Sequence, residues 1–322
     1  MRASLVLSSM LAVSALGRAG AQCSPATQKL IADLRYDEAR AQTDALIKQN
    51  GSDDAALHCM GTIYIQMDKS NDAIEWFEKA VKANDASSVH HLWLANSLGD
   101  QANHTSKIKL PFLARRIKGE FDKAAQLDPT SIDARHGLIQ FYSQAPGVMG
   151  GSMDKAKEQA REIGKLNAMR GHFEMANLLG REKDTSGVER EMKAAVAAAP
   201  DSIVAPLTLA AFYANEKRWP DAFAIYDRII KEKPGEMMGH FQYGRAAAIS
   251  GENLERGATE LKYYLANASK DAPIVTVAGA HWRLGMIAEK QGKKDIARSE
   301  YQTALSINPK NTDVKKALEA LK

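Results

Sequence analysis

The chain has 322 residues, with 43 Lys and Arg against 39 Asp and Glu and a formal net charge of +4. Hydrophobic residues make up 45% and charged residues 25%, which is typical of a soluble globular protein. Proteins that bind mainly nucleic acid usually have a strongly basic face, so the near-neutral balance argues against nucleic acid as the partner.

Residues 1–21 are predicted to be a signal peptide for export. Arg2 gives a short positive start, residues 4–16 are mostly apolar, and residues 19–21 are the small residues that a signal peptidase requires. The apolar core is shorter than the ~20 residues that span a bilayer. Cleavage after Ala21, giving a periplasmic or secreted protein, is therefore favoured over an uncleaved anchor.

The chain has two cysteines, Cys23 and Cys59, and both remain after cleavage. An oxidising compartment permits a disulfide between them. In the chain-entropy model such a bond would stabilise the fold by about 4 kcal/mol. Two buried thiols are the alternative.

Small residues and prolines recur every 34 positions along the chain. Ala176 is followed by Ala210 and Gly244, and Pro200 is followed by Pro234. A period of this length is typical of stacked helix–turn–helix units, none of which can bury its apolar face alone.

This pattern resembles the tetratricopeptide repeat, which has small residues at positions 8 and 20, Tyr or Leu at 11, an aromatic residue at 24 and Pro at 32. The matching units start near residues 20, 54, 88, 132, 169, 203, 237 and 278. Small side chains at positions 8 and 20 let the two helices of a unit approach closely. The resemblance implies an all-α fold, a right-handed superhelical α-solenoid of about eight repeats over residues 22–310, with a capping helix at residues 311–322.

In the family that this chain resembles, the first helices of successive units line a concave groove that holds a peptide or a partner's helix. The resemblance implies that positions 5 and 9 of each unit face this groove. The candidate partner-binding residues are Asn96, Gln140, Asn177, Phe173, Phe241, Trp282 and Arg245. The amides would hydrogen-bond an extended peptide backbone, and the aromatic residues would anchor apolar side chains. Alternatively, the amides are present only because a curved, solvated surface needs polar residues, and the aromatic residues pack against insertions.

The repeat spacing fails in three places, with insertions of ten, three and seven residues after the unit starts at 88, 132 and 237. Such insertions form loops on one face of an array, often the face that binds a partner. We expect the first two of these loops at residues 99–111 and 143–152. The loop at residues 99–111 is followed by a basic segment, which is predicted to be a surface for an acidic partner or lipid headgroups. The alternative is that this segment is only a solvated helix face. Its residues are Lys107, Lys109, Arg115, Arg116 and Lys118.

The second loop combines several glycines with an N-cap residue. Backbone amides at Gly150, Gly151 and Ser152 predict a candidate anion site at a helix N-terminus. The loop lacks the Lys of a nucleotide-binding loop, and no strand precedes it. Ser152 and Lys155 imitate the S-x-x-K motif of penicillin-binding enzymes, but the accompanying motifs are absent, so a rigid structural loop is the favoured interpretation.

The residues considered as possible metal ligands are His90, His91, Asp100 and His104. Adjacent histidines on a helix point about 100° apart, and no His-x3-His spacing occurs, so we expect neither a metal site nor a cofactor.

The leading hypothesis is a non-enzymatic scaffold of the bacterial cell envelope that binds a protein or peptide in its groove, with at most peripheral membrane contact. One alternative is an enzyme or ligand-binding site roofed by the insertions, using His90, His91, His104 or Ser152. Another is a structural subunit that self-associates.

Overall fold

The computed structural model describes residues 23–103, 105–106, 108–269 and 272–321. The expected signal peptide, His104 and Lys107 of the expected basic surface therefore lie outside the described residues. In the described ranges every regular element is helical. The helices are α1 Pro25–Ala32, α2 Tyr36–Gln49, α3 Asp54–Gln66, α4 Ser70–Ala83, α5 Ser88–Ala102, α6 Leu110–Leu127, α7 Ile132–Gln144, the 3-10 turn Gly147–Met149, α8 Met153–Leu166, α9 Ala168–Arg181, α10 Thr185–Ala198, α11 Val204–Asn215, α12 Trp219–Glu232, α13 Met237–Ser250, α14 Leu254–Asn267, α15 Ile274–Lys290, α16 Lys294–Ile307 and α17 Thr312–Ala320.

The chain divides into two compact units, Met1–Asp184 and Thr185–Lys322. The first contains α1 to α9 and the second α10 to α17. Within each unit, every helix contacts the helices that precede and follow it in the chain. This nearest-neighbour packing is the arrangement expected of a helical repeat array, in which each hairpin buries its apolar face against the next.

Helix pairs approach closely where a glycine faces an aromatic ring. A Cβ atom at Gly61 would lie 2.7 Å from the ring of Phe77, and one at Gly285 would lie 2.4 Å from the ring of Tyr301. Both rings are fully buried. Because no larger residue fits at these glycines, the small residue at position 8 is what admits the aromatic residue at position 24.

The ten-residue insertion lengthens two helices instead of forming a loop across 99–111. Helix α5 continues to Ala102, and α6 begins at Leu110, so only residues 103–109 lie between them. Pro111 lies in the first turn of α6, where its missing N–H leaves no helical hydrogen bond unmade. The expectation of a loop over the whole segment is corrected because both flanking helices propagate into it.

The two ends of the described chain are held by different contacts. Cys23 and Cys59 form a disulfide that ties the start of α1 to α3, in a cluster with Leu30. At the other end, α17 buries Val314 against the cluster that contains Tyr301. Among the described helices, none is long and apolar enough to cross a membrane.

Candidate functional site

The inserted segments meet around a pocket of about 470 Å³ in the first unit. Helices α5, α6 and α7 form its walls, and the 3-10 turn closes one edge. Its apolar residues are Ala95, Ala102, Leu110, Ala114, Ile117, Phe121, Phe141, Ala145, Pro146 and Met149. Its polar residues are Asn96, Asp100, Asn103, Gln140 and Gln144. A pocket of this size with an apolar wall and a few polar groups suits a compact ligand group, such as the side chain of a bound peptide.

The pocket lies where the insertion lengthens α5 and α6. The lining residues of α6 recur at three- and four-residue spacing from Leu110 to Phe121, so one helix face lies along the pocket. At the base, Gly137 of α7 faces Phe121, and a Cβ there would lie 2.1 Å from the ring. The glycine therefore lets α7 approach the aromatic floor.

The polar edge of the pocket consists mainly of neutral amides. Asp100 is the one charged lining residue, and it accepts a hydrogen bond of 2.5 Å from the Ser70 hydroxyl. Gln140 donates through its amide nitrogen to His136 Nε2 at 2.8 Å. His136 Nδ1 then donates to Glu174 at 2.8 Å. These two hydrogen bonds orient the Gln140 side chain and engage its amide nitrogen. The carbonyl oxygen of Gln140 is left to accept a hydrogen bond from a ligand.

The structure brings together two of the expected partner-binding residues of the first unit. Asn96 of α5 and Gln140 of α7 both line the pocket and are exposed. On α9, Asn177 is exposed and Phe173 is half-buried, and neither lines the pocket. The pocket therefore uses α5 and α7 but not α9.

In the second unit, the aromatic candidates differ in how much surface they offer. Phe241 is only 9% exposed and packs on Tyr264 with ring centroids 5.2 Å apart. It is a core residue, which corrects its expected role as an anchor. Trp282 is half-buried beneath the Arg283 guanidinium, 3.8 Å from the ring centroid.

Arg245 and Arg283 place two positive charges near each other on α13 and α15. Burial, and then the charge of Arg245, lower the pKa of Arg283 to about 10. Arg283 Nη1 contacts the sulfur of Met286 at 3.2 Å. Arg245 was predicted because it occupies position 9 of its repeat. Arg283 was not predicted, because it lies at neither position 5 nor position 9.

The expected anion site in the second loop does not form. The amides of Gly150, Gly151 and Ser152 donate within the loop, to the carbonyl oxygens of Gly147 at 2.9 Å, Pro146 at 3.1 Å and Tyr142 at 2.8 Å. The Ser152 hydroxyl accepts from the Lys155 amide at 3.3 Å as the N-cap of α8. Because these donors are already used, Gly150, Gly151 and Ser152 close a rigid turn instead of binding an anion.

The histidines considered for catalysis or metal binding lie elsewhere in the first unit. His90 Nδ1 is 3.0 Å from His58 Nδ1, and His90 Nε2 is 3.0 Å from Asp54. His91 contacts Glu120 at 2.6 Å. None of these histidines, nor Ser152, lines the pocket. Among the residues described, no His, Cys, Asp and Glu side chains are grouped to hold a metal ion.

A histidine–glutamate pair recurs within the hairpins and was missed by sequence reasoning. It joins the residue at position 4 of the repeat unit, in the first helix, to a glutamate of the second helix. The pairs are His91–Glu120 at 2.6 Å, His240–Glu260 at 2.6 Å and His281–Glu300 at 2.7 Å. The signal was present in the repeat spacing, because these histidines occupy the same position of their units.

The family comparison identifies the repeats. Tetratricopeptide repeat models match residues 55–87 and residues 278–311. The chain is similar to yeast Tom70, with 15% identity, coverage of 100% of this chain and 66% of that chain, and a TM-score of 0.60. A tetratricopeptide repeat protein from Parabacteroides merdae ATCC 43184 is 13% identical, over 87% of this chain and 98% of that chain, with a TM-score of 0.49. YrrB, described as a TPR protein with an unusual peptide-binding site, is 14% identical, over 76% of this chain and 99% of that chain, with a TM-score of 0.38. No curated protein matches the sequence.

With its neighbour-packed helical hairpins, this chain is an α-solenoid of helical repeats, two of which match the tetratricopeptide repeat. Such proteins generally bind other proteins, and the recurring residues are packing residues, so the particular partner depends on the surface of this chain.

Proposed function

We propose that the protein is a non-enzymatic scaffold that binds a protein segment through the pocket between α5, α6 and α7. The observation that carries this proposal is the convergence of Asn96 and Gln140, from two successive first helices, above an apolar wall. An apolar side chain of the partner would fill the pocket, and the amides would hydrogen-bond the adjoining peptide backbone.

We favour binding over catalysis because of the groups that line the pocket. Its one carboxylate, on Asp100, already accepts a hydrogen bond, and its other polar groups are amides. Side-chain amides donate and accept hydrogen bonds but do not ionise near neutral pH, so they do not act as general acids or bases. A general acid or base positioned against a ligand would be required for most hydrolytic reactions.

A pocket-filling variant tests this proposal. Gly99 lines the pocket on α5, and a Cβ there meets no atom within 4 Å, so the side chain of Gly99→Leu would begin in open space at the pocket. Gly119 on α6 also has open space around it but does not line the pocket, which makes Gly119→Leu the matched control. Each substitution replaces a helical glycine and should preserve or raise helix stability.

Partner binding by these variants is measured by site-specific photo-crosslinking in cells from a crosslinker placed at Gln144, on the exposed edge of the pocket. We expect a crosslinked partner whose yield falls about ten-fold with Gly99→Leu, because the partner's anchoring side chain loses its place. Gly119→Leu should leave the yield unchanged. A yield that is insensitive to Gly99→Leu would refute the pocket as the binding site.

We further propose that the protein is exported and acts in the cell envelope. The support is the signal-like pattern of residues 1–21 together with the Cys23–Cys59 disulfide, which persists in an oxidising compartment. Intact-mass analysis of the protein purified from its host tests this. The expected mass is that of a chain beginning at Gln22 with both cysteines oxidised, and retention of residues 1–21 would contradict cleavage.

A further inference from the structure

Three bulky apolar side chains at the two inserted segments extend into solvent. Ile108 is 86% exposed, Phe112 is 80% exposed and Val148 is 96% exposed. The next most exposed large hydrophobic residues in the described chain, Leu34 and Val275, are each 70% exposed. Since burial of such side chains is favourable, a concentration of the most exposed ones indicates a surface that is covered in function.

The two segments that carry these residues are neighbours in the fold. The 3-10 turn that contains Val148 contacts helix α6. Met149, next to Val148, lines the same pocket as Leu110, which lies between Ile108 and Phe112 in the chain. We call Ile108, Phe112 and Val148 the apolar tips.

The two segments that carry the apolar tips contain basic residues and no acidic residue. Residues 108–119 contain Lys109, Arg115, Arg116 and Lys118 and no acidic residue, and residues 143–153 contain no charged residue. On α6, Arg115 and Arg116 follow Phe112 by three and four positions, so they share its exposed helix face.

Part of this charge is balanced inside the unit. Arg116 pairs with Glu78 at 2.6 Å, and Lys118 pairs with Asp122 at 2.5 Å. Both pairs are partly exposed, so solvent and a charged surface can compete with them. Lys109 and Arg115 are exposed beside the tips.

We propose that the apolar tips insert into the interface of an anionic lipid bilayer, with Lys109 and Arg115 contacting the lipid headgroups. Apolar side chains interspersed with cations bind such a surface through apolar burial combined with electrostatic attraction. An acidic groove on a protein would have to match two separate protrusions, whereas a bilayer accommodates both without a defined shape. This contact is peripheral and is separate from partner binding in the pocket.

Vesicle flotation of the full chain after removal of any signal peptide tests the proposal. We expect the protein to float with vesicles of equal parts phosphatidylglycerol and phosphatidylcholine, and not with phosphatidylcholine alone. The triple variant Ile108→Ser, Phe112→Ser and Val148→Ser should lower the bound fraction at least about ten-fold, because it removes the inserted apolar area.

A matched triple variant controls for the loss of exposed apolar residues in general. Val204, Val275 and Ile296 lie in the second unit and are also exposed, so Val204→Ser, Val275→Ser and Ile296→Ser should leave flotation unchanged. Lys109→Glu with Arg115→Glu should lower binding and weaken its dependence on salt.

A fluorescent label reports insertion directly. Because both native cysteines are in a disulfide, Val148→Cys provides a single thiol for an environment-sensitive dye. Its emission should shift to shorter wavelength with anionic vesicles. Absence of flotation with anionic vesicles, or equal flotation of the Ile108, Phe112 and Val148 variant, would overturn the proposal. Binding of the same surface to an acidic peptide without vesicle binding would also overturn it, in favour of a protein partner.

Discussion

Replacement of His58 by Gln should reduce the sensitivity of the first unit to acid. His58 is fully buried on α3 beside the rings of Phe77 and Trp93, with ring centroids 5.0 and 5.9 Å away. Its Nδ1 hydrogen-bonds His90, and its Nε2 has no partner among the described residues. A proton added at Nε2 would therefore place an uncompensated charge in an apolar site.

The electrostatic surroundings set the size of the effect. Burial, followed by the charge of His90, lowers the pKa of His58 from 6.5 to about 3, and Asp54 acts in the opposite direction. The unfolded chain therefore binds this proton before the folded chain does. The resulting stabilisation is complete when the pH is above the pKa of His58 in the unfolded chain. It is lost as the pH falls from 6.5 towards 3. Over that window the loss approaches about 5 kcal/mol, at about 1.4 kcal/mol per pH unit.

The assay is urea unfolding followed by far-UV circular dichroism at several pH values between about 7.5 and about 4. His58→Gln should flatten the fall in the free energy of unfolding by up to about 1.4 kcal/mol per pH unit. Ile63→Val, a buried change on the same helix, is the control and should lower stability by about 1 kcal/mol at every pH. If His58→Gln retains the pH dependence of the unsubstituted protein, then His58 is not the neutral, desolvated group described here.

Three further changes test the contacts of the fold. Replacing Cys23 and Cys59 by Ala opens a link between residues 36 apart in sequence and should lower the free energy of unfolding by about 4 kcal/mol, measured by denaturant unfolding. Gly151→Ala should destabilise by more than about 2 kcal/mol, because its Cβ would lie 1.8 Å from the Ala145 carbonyl oxygen. Gly147→Ala, where a Cβ meets open space, should be nearly neutral in the same denaturant unfolding assay, and equal losses would contradict the loop geometry. His240→Phe should cost about 2 kcal/mol, because it leaves the half-buried Glu260 without this hydrogen-bond partner. His281→Phe should cost less, because its pair with Glu300 is more exposed, and the reverse order would contradict this account.

Periodic packing was predictable because it depends on local sequence. The small residues Gly61 and Gly285 precede Phe77 and Tyr301 by the same interval, and each glycine contacts the ring of its own hairpin. The repeat register also placed Asn96 and Gln140 at equivalent positions of two first helices. Their joint lining of one pocket follows from that register together with the stacking of the hairpins.

The glycine-rich turn and Phe241 differ from their sequence-based predictions because of hydrogen bonding and burial in the folded chain. The glycine-rich turn looked like an anion site, but Gly150, Gly151 and Ser152 donate their amides within the turn. Phe241 has the repeat position of a groove residue, yet it packs on Tyr264 in the core. Neither outcome is encoded by residue type at one position, because each depends on which groups a neighbouring segment brings within reach.

The sequence by itself determined that the chain is a stack of helical hairpins, since its small and aromatic residues recur at the interval of one hairpin. Only the tertiary structure decided what the irregular segments do. The ten-residue insertion extends α5 and α6, a pocket lies between these helices and α7, and Ile108, Phe112 and Val148 remain in solvent. A periodic pattern specifies contacts between successive helices, whereas the surface formed by an insertion depends on how the extended helices and the adjoining turn pack in three dimensions.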